Sequence, residues 1–171
     1  SLIGCEPDLV WKVNKNKISV RTDSEYLNEK INLNLNPIES LKNILSLSKV
    51  YKNPTEPPYP ILVGYLGYPM VQYMEKIAFY NPDPLKIPEA LMIRPRIAAV
   101  FDNIKDTINV MTVVFPENNI KAESALDLAE DRIKTNIEKL HSQILKKEIP
   151  NRNILNDKIK IKSNFEKKEY L

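Results

Sequence analysis

Residues 61–77, with the sequence ILVGYLGYPMVQYMEKI, indicate the fold of this chain more clearly than any other stretch. Gly64 and Gly67, two of only three glycines in the chain, interrupt a first half that is otherwise apolar and favours a β-strand. Glycine weakens a strand and usually marks a bulge or the close approach of another backbone or a ligand. We predict a buried strand over residues 61–68 and a short helix over residues 69–77. The apolar positions of that helix are Met70, Val71, Met74 and Ile77.

Strand patterns on both sides of this stretch predict two hairpins. Residues 8–13 and 17–22 flank a polar turn at residues 14–16, as the strands of a hairpin do. Residues 90–101 and 107–115 are rich in Ile, Val and Met and should also pair antiparallel.

Two amphipathic helices are predicted. The first covers residues 37–50, because Asn36 is a good N-cap and Pro37 suits the first helical position. Its predicted inner face contains Ile38, Leu41, Ile44, Leu45 and Ser48. The second covers residues 120–146, and its stripe consists of Ala122, Leu126, Ala129, Ile133, Ile137, Leu140 and Ile144. A helix packed on a sheet is favoured over a coiled coil, because the repeat lasts only about three heptads. The fold class is therefore α+β.

Composition points to one ordinary globular domain. A chain of 171 residues buries roughly 70% of its unfolded surface without disulfides or metals. Its apolar runs are too short to span a bilayer, so no membrane partner is expected. The single cysteine, Cys5, cannot form an internal disulfide, which fits a cytoplasmic location, and we expect it to be a small buried hydrophobic residue.

The side chains that usually carry chemistry form no recognisable catalytic, cofactor-binding or metal-binding set. His141 is the only histidine and has no ligand or base at helical spacing, so we expect it to be solvated. Glu75 is expected on a solvated helix surface, and Asp102 and Asp106 are explained by turn formation. The lysine-rich segment near the C-terminus lacks interleaved aromatic residues, so it is interpreted as a solvated linker and no nucleic acid is expected as a partner.

The two ends of the sequence suggest a segment of a longer protein. The chain opens directly into an apolar run at Ser1, and Ser163 with Glu166 matches a capping box at the start of a helix. We expect an α+β domain over residues 1–147, a linker over 148–162, and the first helix of a further domain over 163–171.

Several motifs in this order resemble anthranilate synthase component I, a chorismate-utilising enzyme family. They are SLIG at residues 1–4, PDL at 7–9, GYLGY at 64–68, NPDPL at 81–85 and VFD at 100–102. The resemblance is to the N-terminal region of that family and covers nearly the whole chain. Residues 163–170 look like the opening helix of its chorismate-binding catalytic domain.

The resemblance implies an antiparallel β-sandwich with helices packed outside it. It also implies a parent enzyme, a lyase, that converts chorismate and ammonia from glutamine to anthranilate and pyruvate in tryptophan biosynthesis. Magnesium and the catalytic residues would lie beyond this segment, so the segment itself is expected to be inactive. The implied partner is a glutamine amidotransferase subunit, component II.

The family's tryptophan feedback site uses a Leu-Leu-Glu-Ser motif, ten residues and then a serine. Ser1 looks like that final serine, so it is the one residue assigned to a tryptophan site. Because the rest of the motif would lie upstream, the segment alone is expected to bind tryptophan weakly or not at all.

Two alternatives remain open at this stage, and one position departs from the family pattern. The chain is also compatible with component I of aminodeoxychorismate synthase in the folate pathway, or with a non-catalytic ligand-sensing or partner-binding domain.

Pro69 stands where relatives commonly have Asp. Proline is tolerated in a first helical turn, so the helix should survive, but a side-chain contact from that Asp is lost.

Overall fold

The computed structural model describes residues 1–51, 59, 61–77, 85–142 and 168. The chain divides into a first compact unit, Ser1–Leu140, and a second unit, His141–Leu171. Nearly all of the predicted linker and final helix, residues 143–146 of the predicted long helix with Ile144, and residues 81–84 of the predicted loop motif lie outside the described residues.

A five-stranded antiparallel sheet forms the centre of the first unit. The strands are β1 (Leu2–Asn14), β2 (Lys17–Thr22), β3 (Val63–Leu66), β4 (Ala90–Asp102) and β5 (Thr107–Thr112). β4 is central, because β1 pairs along one of its edges while β3 and β5 share the other, and β2 pairs with β1. The predicted α+β class is confirmed. The described residues make one sheet, and a second sheet of the expected sandwich is not found among them.

Both predicted hairpins are confirmed, and β1 is longer than expected. The turn between β1 and β2 places Lys15 and Asn16 at positive φ, 49° and 62°, as a two-residue hairpin connection requires. β1 begins at Leu2 rather than at residue 8, because β4 offers a partner along its whole length.

Helices α1 (Glu25–Lys30) and α2 (Pro37–Leu47) cover one side of the sheet. Asn36 caps α2 as predicted, with its Oδ1 accepting from the Glu39 backbone N–H at 3.0 Å. The prediction that Leu45 lies on the inner face of α2 was wrong, because this side chain is 43% exposed. Ser40 is buried instead, because its hydroxyl accepts a hydrogen bond from the indole N–H of Trp11 at 3.1 Å.

The hydrophobic core lies between this side of the sheet and the two helices. Its buried members are Leu9, Trp11, Val13, Leu27, Ile44, Met70 and Ala90. Alternate residues of β1 supply three of them, as expected for a strand with one buried face.

The predictions for residues 61–77 were right in type and wrong in detail. β3 has only four residues, and Tyr65 and Leu66 are 38% and 46% exposed, because β3 is an edge strand paired on one side only. The segment after it is a 3₁₀ helix, Tyr68–Tyr73, closed by i to i+3 bonds such as Met74 N–H to the Val71 carbonyl at 3.0 Å. Met70 is buried, but Met74 and Ile77 are exposed, since the helix ends before it reaches them.

The long helix α3 spans Ala122–His141. Of its residues only Ala129 is buried, while Leu126 and Leu140 are each 55% exposed. The expected apolar packing is therefore only partly realised. Polar contacts contribute to its position on the sheet, including a 3.0 Å hydrogen bond from Arg132 Nη1 to Thr112 Oγ1.

Candidate functional site

Ser1, the one residue assigned to a ligand site, lies at the end of the β1–β4 ladder. Its amino group donates to the Phe101 carbonyl at 3.1 Å, and the Phe101 N–H donates to the Ser1 carbonyl at 2.8 Å. Ser1 is exposed. The structure thus fixes its backbone and leaves its side chain accessible, while its membership of a tryptophan site stays a prediction.

A β-bulge interrupts the same ladder seven residues further on. Pro7 pairs with Pro95 and Leu9 pairs with Arg94, so Asp8 is an extra residue with no partner across the ladder. Glu6, two residues before Asp8, has a positive φ of 52°, which is uncommon for a residue other than glycine.

Asp8 and Arg94 form a buried, two-pronged ion pair at the bulge. Arg94 Nε donates to Asp8 Oδ1 at 2.8 Å, and Nη2 donates to Oδ2 at 2.6 Å. Their side chains are 7% and 0% exposed. Two parallel bonds between a guanidinium and a carboxylate are geometrically specific, and removing one partner of such a buried pair typically costs about 3–5 kcal/mol.

Two further groups contact the Arg94 guanidinium, and a tyrosine bonds the backbone next to it. Its Nη1 donates to Ser48 Oγ at 3.2 Å, and its central carbon lies 3.7 Å from the centroid of the Phe115 ring. Tyr59 donates its hydroxyl proton to the neighbouring Pro95 carbonyl at 2.6 Å. Burial and the nearby Asp8 carboxylate raise the pKa of Tyr59 to about 12. Each nitrogen of the guanidinium therefore donates a hydrogen bond, and the Phe115 ring covers one face of the group.

A surface cavity of about 430 Å³ opens beside this pair. Asp8, Arg96, Phe115 and Arg132 contribute to its walls. Arg96 is already paired with Asp23 at 3.3 Å, and Arg132 Nε lies 3.9 Å from Glu6 Oε2, so both arginines of the cavity wall have carboxylate partners.

A second polar cluster holds the 3₁₀ helix against β4. Glu89 accepts a 2.6 Å hydrogen bond from the Tyr73 hydroxyl and a 3.3 Å bond from Gln72 Nε2, and its backbone carbonyl accepts from the Gly67 N–H at 2.8 Å. Burial and the hydrogen bond to Glu89 raise the pKa of Tyr73 to about 12. These contacts are structural, since they tie the end of the GYLGY motif to the start of β4.

The residues weighed from the sequence as chemical candidates lie apart from these clusters. His141 and Glu75 are exposed, as expected. The expectation for Cys5 was wrong: it is exposed, because β2 does not extend along that part of β1. Asp102 accepts from the N–H groups of Ile104 and Lys105, which lowers the pKa of its carboxyl and confirms its role in the turn.

Sequence reasoning did not single out Arg94. A signal was present, because an arginine at the centre of the apolar run Leu91 to Ala99 must either leave the core or find a buried anion. The anion, Asp8, is 86 residues away in sequence, so no local pattern could have paired the two.

Metal-binding and membrane-spanning features are absent from the described part of the chain. No group of three or more His, Cys, Asp or Glu residues in it could hold a metal ion. No helix in the same ranges is long and apolar enough to cross a bilayer.

Comparison with known proteins gives one consistent result. No protein-family model matches the chain. Anthranilate synthase component 1 of Cereibacter sphaeroides is 29% identical over 135 residues, which are 78% of this chain and 27% of that protein. The proteins of the same name from Thermus thermophilus and Pseudomonas aeruginosa are 36% and 34% identical over 48% and 55% of this chain, and 18% and 20% of their own lengths.

This chain is similar in sequence to anthranilate synthase component 1 proteins. The crystal structure of component I from Streptococcus pneumoniae TIGR4 matches the fold with a TM-score of 0.60 over 85% of this chain, at 18% identity, and 30% of that protein is covered. That match supports the fold, and the sequence relatives support the resemblance. The chain spans only about a fifth to a quarter of the length of these component 1 relatives.

Proposed function

We propose that this chain is the structural and regulatory part of an anthranilate synthase component I. The parent enzyme would convert chorismate and ammonia from glutamine to anthranilate and pyruvate. The observation that carries the proposal is the match of 78% of the chain to a protein of this name, together with the shared fold. Relatives of the same name from several other bacteria support it.

The catalytic step is assigned to residues outside the described part of this chain. Magnesium prefers near-octahedral oxygen coordination, usually from carboxylates, water and substrate. The described residues do not bring such a set together, so they do not fit a magnesium site. The contribution of this chain is instead the rigid sheet on which Ser1 is presented, as one element of a tryptophan-responsive site.

The remaining partners follow from the same proposal. An enzyme that uses glutamine nitrogen through a component I would work with a separate glutamine amidotransferase, component II. We place the parent enzyme in the cytoplasm, in keeping with the single cysteine of this chain.

An activity measurement tests this proposal. The full-length protein, given chorismate, magnesium and an ammonium salt, should form fluorescent anthranilate, and component II with glutamine should replace the ammonium salt. Chain 1–171 alone should form none, because it lacks the catalytic set. Formation of aminodeoxychorismate instead of anthranilate by the full-length protein, or anthranilate formation by the isolated chain, would contradict the proposal.

A further inference from the structure

The register of β1 against β4 shifts by one residue at Asp8, and we call this shift the phase change. On the C-terminal side of Asp8, Leu9 and Trp11 lie opposite Arg94 and Met92. On the N-terminal side, odd-numbered residues of β1 lie opposite odd-numbered residues of β4, as Cys5 does opposite Ile97. Asp8 is the extra residue that produces this change.

The phase change decides which face of the sheet each β1 side chain occupies. Successive residues of a strand point to opposite faces, and directly paired residues share a face. Leu9 and Trp11 therefore lie on the face that packs against α1 and α2, which we call the core face, and they are fully buried. Ile3 and Cys5, also odd-numbered, lie on the opposite face and are exposed.

Ser1 follows the same alternation. It exchanges both backbone hydrogen bonds with Phe101, which continues the pairing of the N-terminal part of β1. Ser1 thus shares the opposite face with Ile3 and Cys5. In a regular strand without the bulge, the N-terminal part would slip by one residue, Ser1 would pair with Asp102, and its side chain would move to the core face.

The ion pair is compatible with only one of these two registers. In the slipped register Asp8 would pair with Pro95 and point away from Arg94. Arg94, with no exposed side-chain surface, would then lose its carboxylate inside the protein. In the observed register, Arg94 binds both carboxylate oxygens, and the Asp8 carbonyl also accepts from the Asp23 N–H at 3.2 Å.

We propose that the Asp8–Arg94 pair is a register lock that holds the bulge and thereby positions Ser1 on the face opposite the core. Asp8 and Arg94 are positioning residues, since they act on Ser1 through the strand and not by touching a ligand. The consequence for tryptophan recognition rests on the proposed function, whereas the lock itself does not.

Disulfide trapping in chain 1–171 tests the lock directly. Cys5 lies opposite Ile97 in the observed register and would lie opposite Ala98 after the slip. Directly opposite strand positions lie within the separation that a disulfide tolerates. We expect Ile97→Cys, and not Ala98→Cys, to crosslink to Cys5 under mild oxidation.

The two cysteine variants, Ile97→Cys and Ala98→Cys, are then each combined with substitutions that remove the lock. Asp8→Val with Arg94→Met removes both charges together, so neither is left buried alone. The crosslinking preference should shift from position 97 to position 98. An unchanged preference for position 97 in the folded double variant would overturn the lock.

Deletion of Asp8 combined with Arg94→Met is the matched control. It removes the extra residue, so a regular strand keeps Cys5 opposite position 97 without any lock, and that crosslink should persist. If the Asp8→Val/Arg94→Met chain does not fold, Asp8→Asn with Arg94→Met, which is nearly isosteric at position 8, replaces it, and an unchanged preference for position 97 then overturns the lock. Loss of the crosslink at position 97 in the deletion variant contradicts the inferred register.

Tryptophan inhibition of the full-length enzyme tests the consequence for Ser1. Asp8→Val/Arg94→Met should lose inhibition, the deletion variant should keep it, and Ser1→Ala should lose it without altering the crosslinks. A changed register with unchanged inhibition would overturn the positioning role at Ser1 while leaving the lock intact. Failure of the unsubstituted enzyme to form anthranilate would refute the proposed function, and the crosslinking result would still decide the lock.

Discussion

Single side chains in this protein are stabilised by partners that lie far away in sequence. Asp8 and Arg94 are the only charged residues that are buried in the described ranges, and each depends on the other. Trp11 likewise needs the Ser40 hydroxyl for its indole N–H. No buried polar side-chain atom in the described part of the chain lacks a hydrogen-bond partner, as expected of a well-packed interior.

The raised pKa of Tyr73 predicts a loss of stability at alkaline pH. Burial and the bond to Glu89 move this pKa from 10.0 to about 12. Below pH 10 the tyrosine is protonated in both states and its contribution to stability is complete. Between pH 10 and 12 the unfolded chain releases its proton first, so the free energy of unfolding falls.

Urea titrations across that pH window measure the effect. Tyr73→Phe should flatten the decline in the unfolding midpoint, whereas Tyr51→Phe, at a fully exposed position, should leave it as in the unsubstituted chain. An equally steep decline in Tyr73→Phe would show that the Tyr73 proton is not responsible.

At the scale of elements, the glycines of the GYLGY motif are required by backbone contact. A Cβ at position 64 would lie 2.0 Å from the Leu91 carbonyl oxygen, and one at position 67 would lie 2.9 Å from the Glu89 carbonyl oxygen. The sequence predicted a bulge or a close approach here. The structure shows the close approach, because the β3–β4 register runs without interruption.

Gly64→Ala should therefore disrupt the edge of the sheet. The new methyl group meets backbone rather than a movable side chain, and overpacking of this kind typically costs about 1–3 kcal/mol. Gly4→Ala is a suitable comparison, because its Cβ would meet only the Pro95 ring, at 3.0 Å, and its cost should be smaller. Equal unfolding midpoints for the two variants in urea would contradict this explanation.

Most helices and strands could be predicted from sequence patterns a few residues long, but the solvent exposure of their side chains could not. Period-two and helical patterns, the Asn36 cap and the turn at Asp102 each act within a few residues, so they are readable in the sequence. Helix α1 was missed because its six residues carry too short a pattern. The exposure of Tyr65, Leu66 and Cys5 depends on which neighbouring strands are present, and that is a property of the sheet.

At the scale of the molecule, burial is concentrated in β1, β4 and the two short helices. All seven buried residues of the core cluster lie outside α3, which buries only Ala129. Local opening is easiest where few apolar contacts are lost. Among the described elements, β4 at the centre of the sheet is thus expected to be the most stable and α3 the least stable.

Native-state hydrogen exchange in chain 1–171 measures this gradient. Amides of Ala122–His141 should exchange faster than those of Ala90–Asp102, with α2 between them. Protection of α3 as strong as that of β4 would show that its exposed leucines are covered in solution.

The sequence by itself determined the α+β class, both hairpins, helices α2 and α3 and the resemblance to component I, because these depend on local periodicity and on motif order. Only the tertiary structure decided the Asp8 bulge, the partner of Arg94 and the face occupied by Ser1. Those features arise where strands distant in sequence meet, since register and burial are set by the neighbouring strand and not by the residues alongside.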